Sequence, residues 1–174
     1  MSVDKCVFCG EPIPEGRQVC PLCENQTVNE NPKRRKWKMK IVLDKGAIMP
    51  TRAHASDAGY DLYARERQIV PAKESACFDT GVHLEIPSGY VGFLKSKSGL
   101  NVKHGITSEG VIDSGYTGSI VVKLYNNDGK DYTVNEGDKI SQIVLLPILT
   151  PELEQVESLD ITERGGNGFG SSGK

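Results

Sequence analysis

The sequence contains no apolar run that approaches the roughly 20 residues needed for a membrane-spanning helix. Its amino terminus, MSVDKCVFCG, also lacks the apolar stretch of a secretory signal, so we expect a cytoplasmic protein without a membrane partner. The net charge of −2 gives no general electrostatic reason to expect binding to nucleic acid. Internal repeats and amphipathic stretches of helical length are absent too, which leaves β-strands as the expected elements.

Short runs of β-branched and aromatic residues, separated by Gly, Pro, Asp and Asn, begin at Met39. The clearest runs are Lys40–Leu43, Gly89–Leu94, Ser119–Asn126 and Lys139–Pro147. Many short strands with regular turn signals predict an all-β sandwich or barrel. The expected order is a cysteine-rich module (1–28), a basic linker (29–38), the β-barrel (39–160) and a flexible glycine-rich arm (161–174).

The cysteines are unevenly placed, since four of the five precede position 24. These four form two Cys-x-x-Cys pairs separated by ten residues: Cys6, Cys9, Cys20 and Cys23. Two such pairs supply four thiolates to one tetrahedral ion and predict a structural Zn²⁺ in a small zinc ribbon. Four sulfur ligands leave no open position for catalysis. The alternative, a redox-active pair, needs a thioredoxin-like βαβ context that the sequence lacks. We expect Cys77 to be an ordinary half-buried strand residue.

The linker beside this module carries a basic cluster, Lys33–Lys36, followed by Trp37. One interpretation is that the module contacts nucleic acid or another protein through this patch. The other is a solvated linker with one anchoring aromatic residue, which is the more usual role of a charge run.

The segment Gly110–Gly118, GVIDSGYTG, brings an aspartate and a tyrosine together with three glycines. We expect a hairpin that presents Asp113 and Tyr116 at a site, because a plain Asp-Ser-Gly turn explains neither the tyrosine nor the flanking glycines. Two other blocks are weaker signals alone. They are DAGYDLYA at 57–64, and KSKSGL at 95–100, whose serine, lysine and glycine residues suit phosphate binding.

The carboxyl-terminal segment, RGGNGFGSSG at 164–173, is too rich in glycine to pack a core of its own. A phenylalanine and an arginine among glycines indicate an arm that closes over a nucleotide, by stacking on the base and pairing with phosphate. The last seven residues nearly match the phosphate-loop pattern GxxxxGK. We reject that match because no Ser or Thr follows and the flanking strand and helix are missing.

In this order the blocks closely resemble the trimeric dUTPase family, over roughly residues 40–174. The five matching blocks are DAGYDLYA, KSKSGL, GVIDSGYTG, GDKISQIVLLP and RGGNGFGSSG. The resemblance implies a jelly-roll-like β-barrel that forms a homotrimer, with each active site built from three subunits. It implies a dUTP diphosphatase that releases dUMP and pyrophosphate. Such an enzyme limits uracil incorporation into DNA and supplies dUMP for thymidylate synthesis.

The resemblance also assigns roles within the hairpin. Asp113 would activate the water that attacks the α-phosphorus, since a hydrogen-bonded carboxylate can accept its proton. Tyr116 would stack under the deoxyribose and leave no room for a 2′-hydroxyl group. The backbone of Val111 and Ile112 would bind the uracil edge. Some relatives use an Asn on uracil that the segment Gly105–Glu109 lacks, which leaves Thr107, Ser108 or neither residue in its place.

The remaining roles concern the triphosphate. Lys97, Ser98 and Gly99 would bind phosphates from a neighbouring subunit, although the family usually has Arg where Lys97 stands, and Lys offers a point charge instead of a fork. Asp61 and Gln142 would act through water on a catalytic Mg²⁺. The arm residues that would cover the nucleotide are Arg164 on the γ-phosphate, Phe169 on uracil, and Gly170, Ser171 and Ser172 in the lid.

Two other functions remain as alternatives. A dCTP deaminase, or a bifunctional deaminase–diphosphatase, shares this fold, but the carboxyl-terminal arm fits the diphosphatase and no deaminase glutamate is evident. A regulatory protein on a dUTPase fold, with the zinc module as its contact, is the non-enzymatic alternative. An intact set of five blocks favours retained catalysis over that role.

Overall fold

The structure is a computed structural model that describes residues 4–5, 12–14 and 38–167. Within these residues it contains twelve β-strands and one helix, numbered in chain order. The strands are β1 Asp4–Lys5, β2 Pro12–Ile13, β3 Ile41–Leu43, β4 Gly59–Tyr63, β5 Gln68–Val70, β6 Ser75–Asp79, β7 Val82–Leu84, β8 Tyr90–Lys95, β9 Ile106–Ile112, β10 Val121–Asn126, β11 Tyr132–Val134 and β12 Lys139–Pro147. The helix, α1, is Ser98–His104.

The main element is a curled six-stranded sheet in the order β4-β12-β8-β9-β10-β6. Two-stranded sheets β11-β5, β3-β7 and β1-β2 accompany it. Every paired strand runs antiparallel to its neighbour. The predicted β architecture is confirmed as mostly β, and it follows from the many short β-branched runs of the sequence.

The alternation of buried and exposed residues along the strands defines the core. In β10, Val122, Leu124 and Asn126 are buried while the residues between them face solvent. The large, fully buried aliphatic side chains come from the six-stranded sheet and from the elements packed on it: Leu62, Val70, Val82, Leu94, Ile106, Ile120, Val122, Leu124, Val134, Ile140 and Ile143. The core therefore lies on one face of the curled sheet, and its other face and its edges are available for a site.

Strand β9 changes partner along its length. Its first residues, Ile106–Ser108, pair with β10, whereas Glu109–Ile112 pair with β8. In the part of the chain that the structure describes, no strand pairs with the other edge of residues 109–112. Strands β9 and β10 thus separate after Ser108 and enclose an open segment between them.

Helix α1 was not expected from the sequence, where its first residues belong to the phosphate-type block KSKSGL. It has no side-chain cap at Lys97 and buries none of its seven residues, so the usual sequence signals of a helix are missing. It ends at Gly105, whose left-handed conformation (φ 63°) lets its N–H bond to the Asn101 carbonyl.

The chain leaves the barrel at Pro147, the last residue of β12. Residues 148–167 are exposed throughout and form no helix or strand. The predicted barrel range, 39–160, therefore includes an exposed segment whose apolar side chains Leu149, Leu153 and Leu159 are 93%, 98% and 85% accessible.

Two smaller observations complete the fold. Cys77 lies on β6 as predicted for a strand residue, but it is exposed and not half-buried, because the inward positions of this strand are Ala76 and Phe78. Among the described residues, the longest apolar elements are strands, and no helix is long and apolar enough to span a membrane.

Candidate active site

The loop between β9 and β10, residues 113–120, presents the predicted aspartate and tyrosine to solvent. Asp113 is exposed, and within the described residues its carboxylate has no hydrogen-bond partner. Tyr116 is 46% accessible, and its hydroxyl donates to the Ser119 carbonyl at 3.0 Å. The side chains of both residues are therefore open to a ligand.

Two glycines give this loop its shape. Gly115 has φ 86°, a left-handed conformation that residues with a side chain rarely adopt. A Cβ atom on Gly118 would lie 2.4 Å from the Tyr116 hydroxyl oxygen, so the tyrosine ring occupies the space over this residue. These contacts explain why glycines flank the tyrosine, which turn chemistry alone does not explain.

The backbone beside the loop is partly unpaired. Among the residues that the structure describes, Val111 and Ile112 pair only with Phe93 and Gly92 of β8, on one side. Val111 is 57% accessible. Since β10 has separated from β9 at this level, the second edge of this segment offers N–H and C=O groups to a planar polar ligand.

Asp61 forms the most buried charged cluster described. It is 4% accessible, and its two carboxylate oxygens accept hydrogen bonds from the Lys97 ammonium and, at 2.8 Å, from the Lys139 ammonium. Burial by itself would raise the pKa of Asp61, but the hydrogen bonds from Lys139 and Lys97 outweigh it and leave that pKa below its usual value. One carboxylate between two cations leaves the cluster with a net positive charge.

Gln142 lies directly opposite Asp61 in the β12–β4 pair. Its amide nitrogen donates to the Ser96 carbonyl at 3.2 Å, which leaves its amide oxygen as an acceptor. Each Asp61 oxygen also keeps lone pairs beyond the one that a lysine occupies. Asp61 and Gln142 therefore fit a hydrated Mg²⁺ as acceptors for its water molecules.

The phosphate-type residues adjoin this cluster. Lys97 is half-buried against Asp61, while Ser98 and Gly99, the first residues of α1, are exposed. These phosphate-type residues lie far from Asp113. Lys95, just before them, pairs with Glu109, and Asp113 follows Glu109 by four residues, just past the end of β9. At about 3.3 Å per residue, these positions are roughly 13 Å apart along the strand. One chain thus carries the two parts of the predicted site at opposite ends of the β8–β9 pair.

The two alternatives for contact with uracil both have hydrogen-bond partners within the chain. The Ser108 hydroxyl is buried and lies 2.9 Å from the Ser141 hydroxyl. The Thr107 hydroxyl accepts from the Asn127 amide at 3.2 Å.

Part of the predicted site lies outside the described residues. Arg164 is described, exposed, and donates from Nε to the Asn167 carbonyl at 3.1 Å. The arm residues beyond it and the zinc ligands are outside that range: Phe169, Gly170, Ser171, Ser172, Cys6, Cys9, Cys20 and Cys23. The same holds for the basic cluster of the linker. Among the described residues, no group of three or more potential ligands could hold a metal ion by direct coordination.

Lys139 is the site residue that the sequence does not reveal. Strict alternation along β12 places residues 139 and 142 on opposite faces of the sheet. A register shift between Lys139 and Ser141 inserts one extra residue, so Lys139 comes to lie on the Gln142 side, facing Asp61. The burial pattern of β12 marks the extra residue, because the adjacent residues Ile140 and Ser141 are both buried.

Comparison with known proteins identifies the family. The dUTPase family model matches residues 45–173, which is more than two thirds of the chain. The chain belongs to the dUTPase family. A deoxyuridine 5′-triphosphate nucleotidohydrolase from Debaryomyces hansenii is 41% identical over 86% of this chain and 96% of its own length. One from Clostridium acetobutylicum is 40% identical over 75% of this chain and 92% of its own length.

Solved structures agree with this family membership. The dUTPase of Staphylococcus bacteriophage 80alpha with dUPNHPP superposes with a TM-score of 0.74 and is 35% identical, covering 79% of this chain and 99% of that one. A mutant dUTPase from phage phi11 of S. aureus, studied for the coordination of a structural Mg(II) ion, has a TM-score of 0.66 at 34% identity. It covers 71% of this chain and 99% of its own.

Proposed function

We propose that this chain is a dUTP diphosphatase, which hydrolyses dUTP to dUMP and pyrophosphate. The observation that carries this proposal is the family match over residues 45–173, which contains every predicted nucleotide and magnesium residue. In this role the enzyme limits uracil incorporation into DNA and supplies dUMP for thymidylate synthesis.

Asp113 activates the attacking water in this proposal. Its exposed carboxylate has no hydrogen-bond partner among the described residues, so its oxygens are available to order a water molecule and to accept its proton. The short loop holds the carboxylate at the mouth of the segment that binds the base. Water can then attack the α-phosphorus in line with the leaving pyrophosphate.

The base and the sugar are selected beside this loop. The unpaired backbone edge at Val111 and Ile112 supplies a fixed N–H and C=O pattern for uracil. Tyr116 packs its ring against the deoxyribose, since its hydroxyl is held by Ser119 and its face is exposed. A ribose would place its 2′-hydroxyl group against this ring, so dUTP binds in preference to UTP.

The cationic cluster receives the triphosphate. Lys97 has three N–H donors, so one can hold Asp61 while another binds a phosphate oxygen. The exposed hydroxyl of Ser98 and the open backbone at Gly99 add contacts, and Arg164 with Phe169, Gly170, Ser171 and Ser172 closes over the nucleotide. Mg²⁺, held through water by Asp61 and Gln142, would neutralise part of the phosphate charge.

The active site is shared between the chains of a homotrimer in this proposal. Two observations support sharing: the phosphate residues and Asp113 lie at opposite ends of one β8–β9 pair, and the segment after Pro147 exposes its leucines. Exposed aliphatic side chains on an extended segment are typical of a surface that packs on another subunit. A neighbouring chain can therefore bring Lys97, Ser98 and Gly99 to the nucleotide.

We also propose that Cys6, Cys9, Cys20 and Cys23 hold a structural Zn²⁺ outside the catalytic reaction. The spacing of the two Cys-x-x-Cys pairs supports this proposal. Strands β1 and β2 pair antiparallel, and Cys6 and Cys9 lie between them in the sequence, which is consistent with this proposal.

Pyrophosphate release from dUTP, dTTP, dCTP and UTP tests the activity. We expect selective turnover of dUTP, and a loss of at least about a hundredfold in Asp113→Asn, because the amide cannot accept a proton from water. Ser114→Ala, a neighbouring loop change, serves as the control. Equal turnover of the four nucleotides would contradict the proposal, and stoichiometric ammonia from dCTP would indicate a deaminase instead.

Co-expression of two inactive variants tests whether the site is shared. Asp113→Asn and Lys97→Met, carrying different tags, form mixed trimers in which one of the three sites receives both intact residues. Random mixing in equal amounts then restores about a quarter of the wild-type sites. Each variant alone is the control. Light scattering should give three chains per particle, and mixed trimers without activity would show that the site is not shared in this way.

Zinc content tests the module. The full chain should bind one Zn²⁺ per chain, and Cys20→Ser combined with Cys23→Ser should abolish this binding while dUTP turnover with Mg²⁺ persists. The matched control is Cys77→Ser, which should keep the zinc. A wild-type chain that binds no zinc after purification under reducing conditions would contradict the proposed zinc site.

A further inference from the structure

The loop 113–120 is fastened at its far end to the turn between β6 and β7. The Ile120 N–H donates to the Val82 carbonyl at 2.9 Å. One residue earlier, the Ser119 hydroxyl donates to the Asp79 carboxylate. These bonds anchor the base of the loop, while its tip projects freely into solvent.

His83, on β7, binds the same loop through its ring. Its Nδ1 lies 2.8 Å from the Thr117 carbonyl oxygen, and its Nε2 lies 3.2 Å from an Asp44 carboxylate oxygen. A carbonyl and an ionised carboxylate only accept hydrogen bonds, so both ring nitrogens must carry a proton for both bonds to form. Only the imidazolium cation satisfies this condition.

The charges that face His83 favour its cationic form. Asp44 contacts the ring, and Asp79 lies at the end of β6. The Arg65 guanidinium lies between these two carboxylates, 3.3 Å from Asp79 and 3.6 Å from Asp44. Two carboxylates therefore surround one arginine and one histidine, and the four charges balance when His83 is protonated.

A charged pair just outside strands β3 and β7 is neutral overall. Glu85, two residues after His83, is paired with Lys40 at 2.9 Å. The hydrogen bond to the Thr117 carbonyl, followed by that to Asp44, raises the pKa of His83 above its ordinary value. His83 and Thr117 line an open groove of about 430 Å³, so water reaches the ring and its proton can exchange.

We propose that protonated His83 is a positioning residue that holds the loop 113–120 in place for catalysis, so that activity depends on its charge. The inference rests on the proposed function, because this loop carries Asp113 and Tyr116. A neutral His83 keeps one N–H, so it loses its bond either to Thr117 or to Asp44. Loss of the bond to Thr117 releases this point of the loop, and loss of the bond to Asp44 leaves the His83 ring able to rotate.

The direction of the pH effect follows from the raised pKa. The tether is complete below about pH 6.5, the ordinary pKa of histidine, and is lost as pH rises through the raised pKa of His83. In the wild type, kcat/KM for dUTP should therefore fall across that range.

Steady-state pH profiles of the full chain with dUTP and Mg²⁺ test the proposal. His83→Gln should lower kcat/KM by about three- to tenfold at the acid end, as expected for one lost charge-assisted hydrogen bond, and should lose the fall at higher pH. His83→Lys, which stays cationic, should restore part of the activity and give a flat profile. His54→Gln, at an exposed histidine far along the chain, should behave as the wild type.

Asp44→Asn provides a second variant, which keeps the imidazole and removes its carboxylate partner. The fall in kcat/KM should move to lower pH, because the pKa of His83 is no longer raised by that charge. An unchanged profile in both Asp44→Asn and His83→Gln would overturn the proposal. So would a uniform loss in His83→Gln that keeps the wild-type pH dependence, since that result indicates a structural role only.

A measurement without turnover separates this inference from the proposed function. Hydrogen exchange of the peptide that covers residues 113–120 should be faster in His83→Gln than in the wild type at pH 6, and equally fast in both at high pH. Equal exchange at pH 6 would overturn the tether even in an active enzyme. Chains that show the exchange difference but turn over no dUTP would refute the proposed function and leave the tether standing.

Discussion

The site depends on one constraint, the separation of β9 from β10 after Ser108. Because Glu109–Ile112 pair only with β8 in the described part of the chain, this segment keeps an unpaired backbone edge there inside an otherwise continuous antiparallel sheet. The same separation produces the loop 113–120, which presents Asp113 and Tyr116 at the end of that edge. In the proposed function, base recognition, sugar selection and water activation all depend on this single interruption in strand pairing, and loops of this kind commonly carry function on a rigid scaffold.

Charge is arranged differently at the two ends of the β8–β9 pair. At one end, Asp61 is buried between Lys97 and Lys139, and the cluster keeps a net positive charge that suits the triphosphate of the proposed substrate. At the other end, His83 ties the catalytic loop to the barrel. The distance between these ends, together with the exposed apolar residues that follow Pro147, supports the proposal that the active site is shared between chains.

Local patterns in the sequence predict the strands well, and the run Lys139–Pro147 coincides with β12. The loop with Asp113 and Tyr116 is also predictable, because glycines flank an otherwise unexplained aromatic residue. Three features are not predictable. Helix α1 buries no residue and so has no apolar period, the extra residue in β12 reverses the side on which Lys139 lies, and His83 meets Thr117 only through pairing between distant strands. Each depends on tertiary structure, which alternation along one strand does not encode.

The central claim is that Asp113 directs a water molecule to the α-phosphorus of dUTP. Hydrolysis in water enriched in oxygen-18, followed by mass spectrometry of both products, tests it most directly. Attack at the α-phosphorus places the heavy oxygen in dUMP and leaves pyrophosphate unlabelled. Label in pyrophosphate instead would mean attack at the β-phosphorus, and would contradict the role assigned to Asp113.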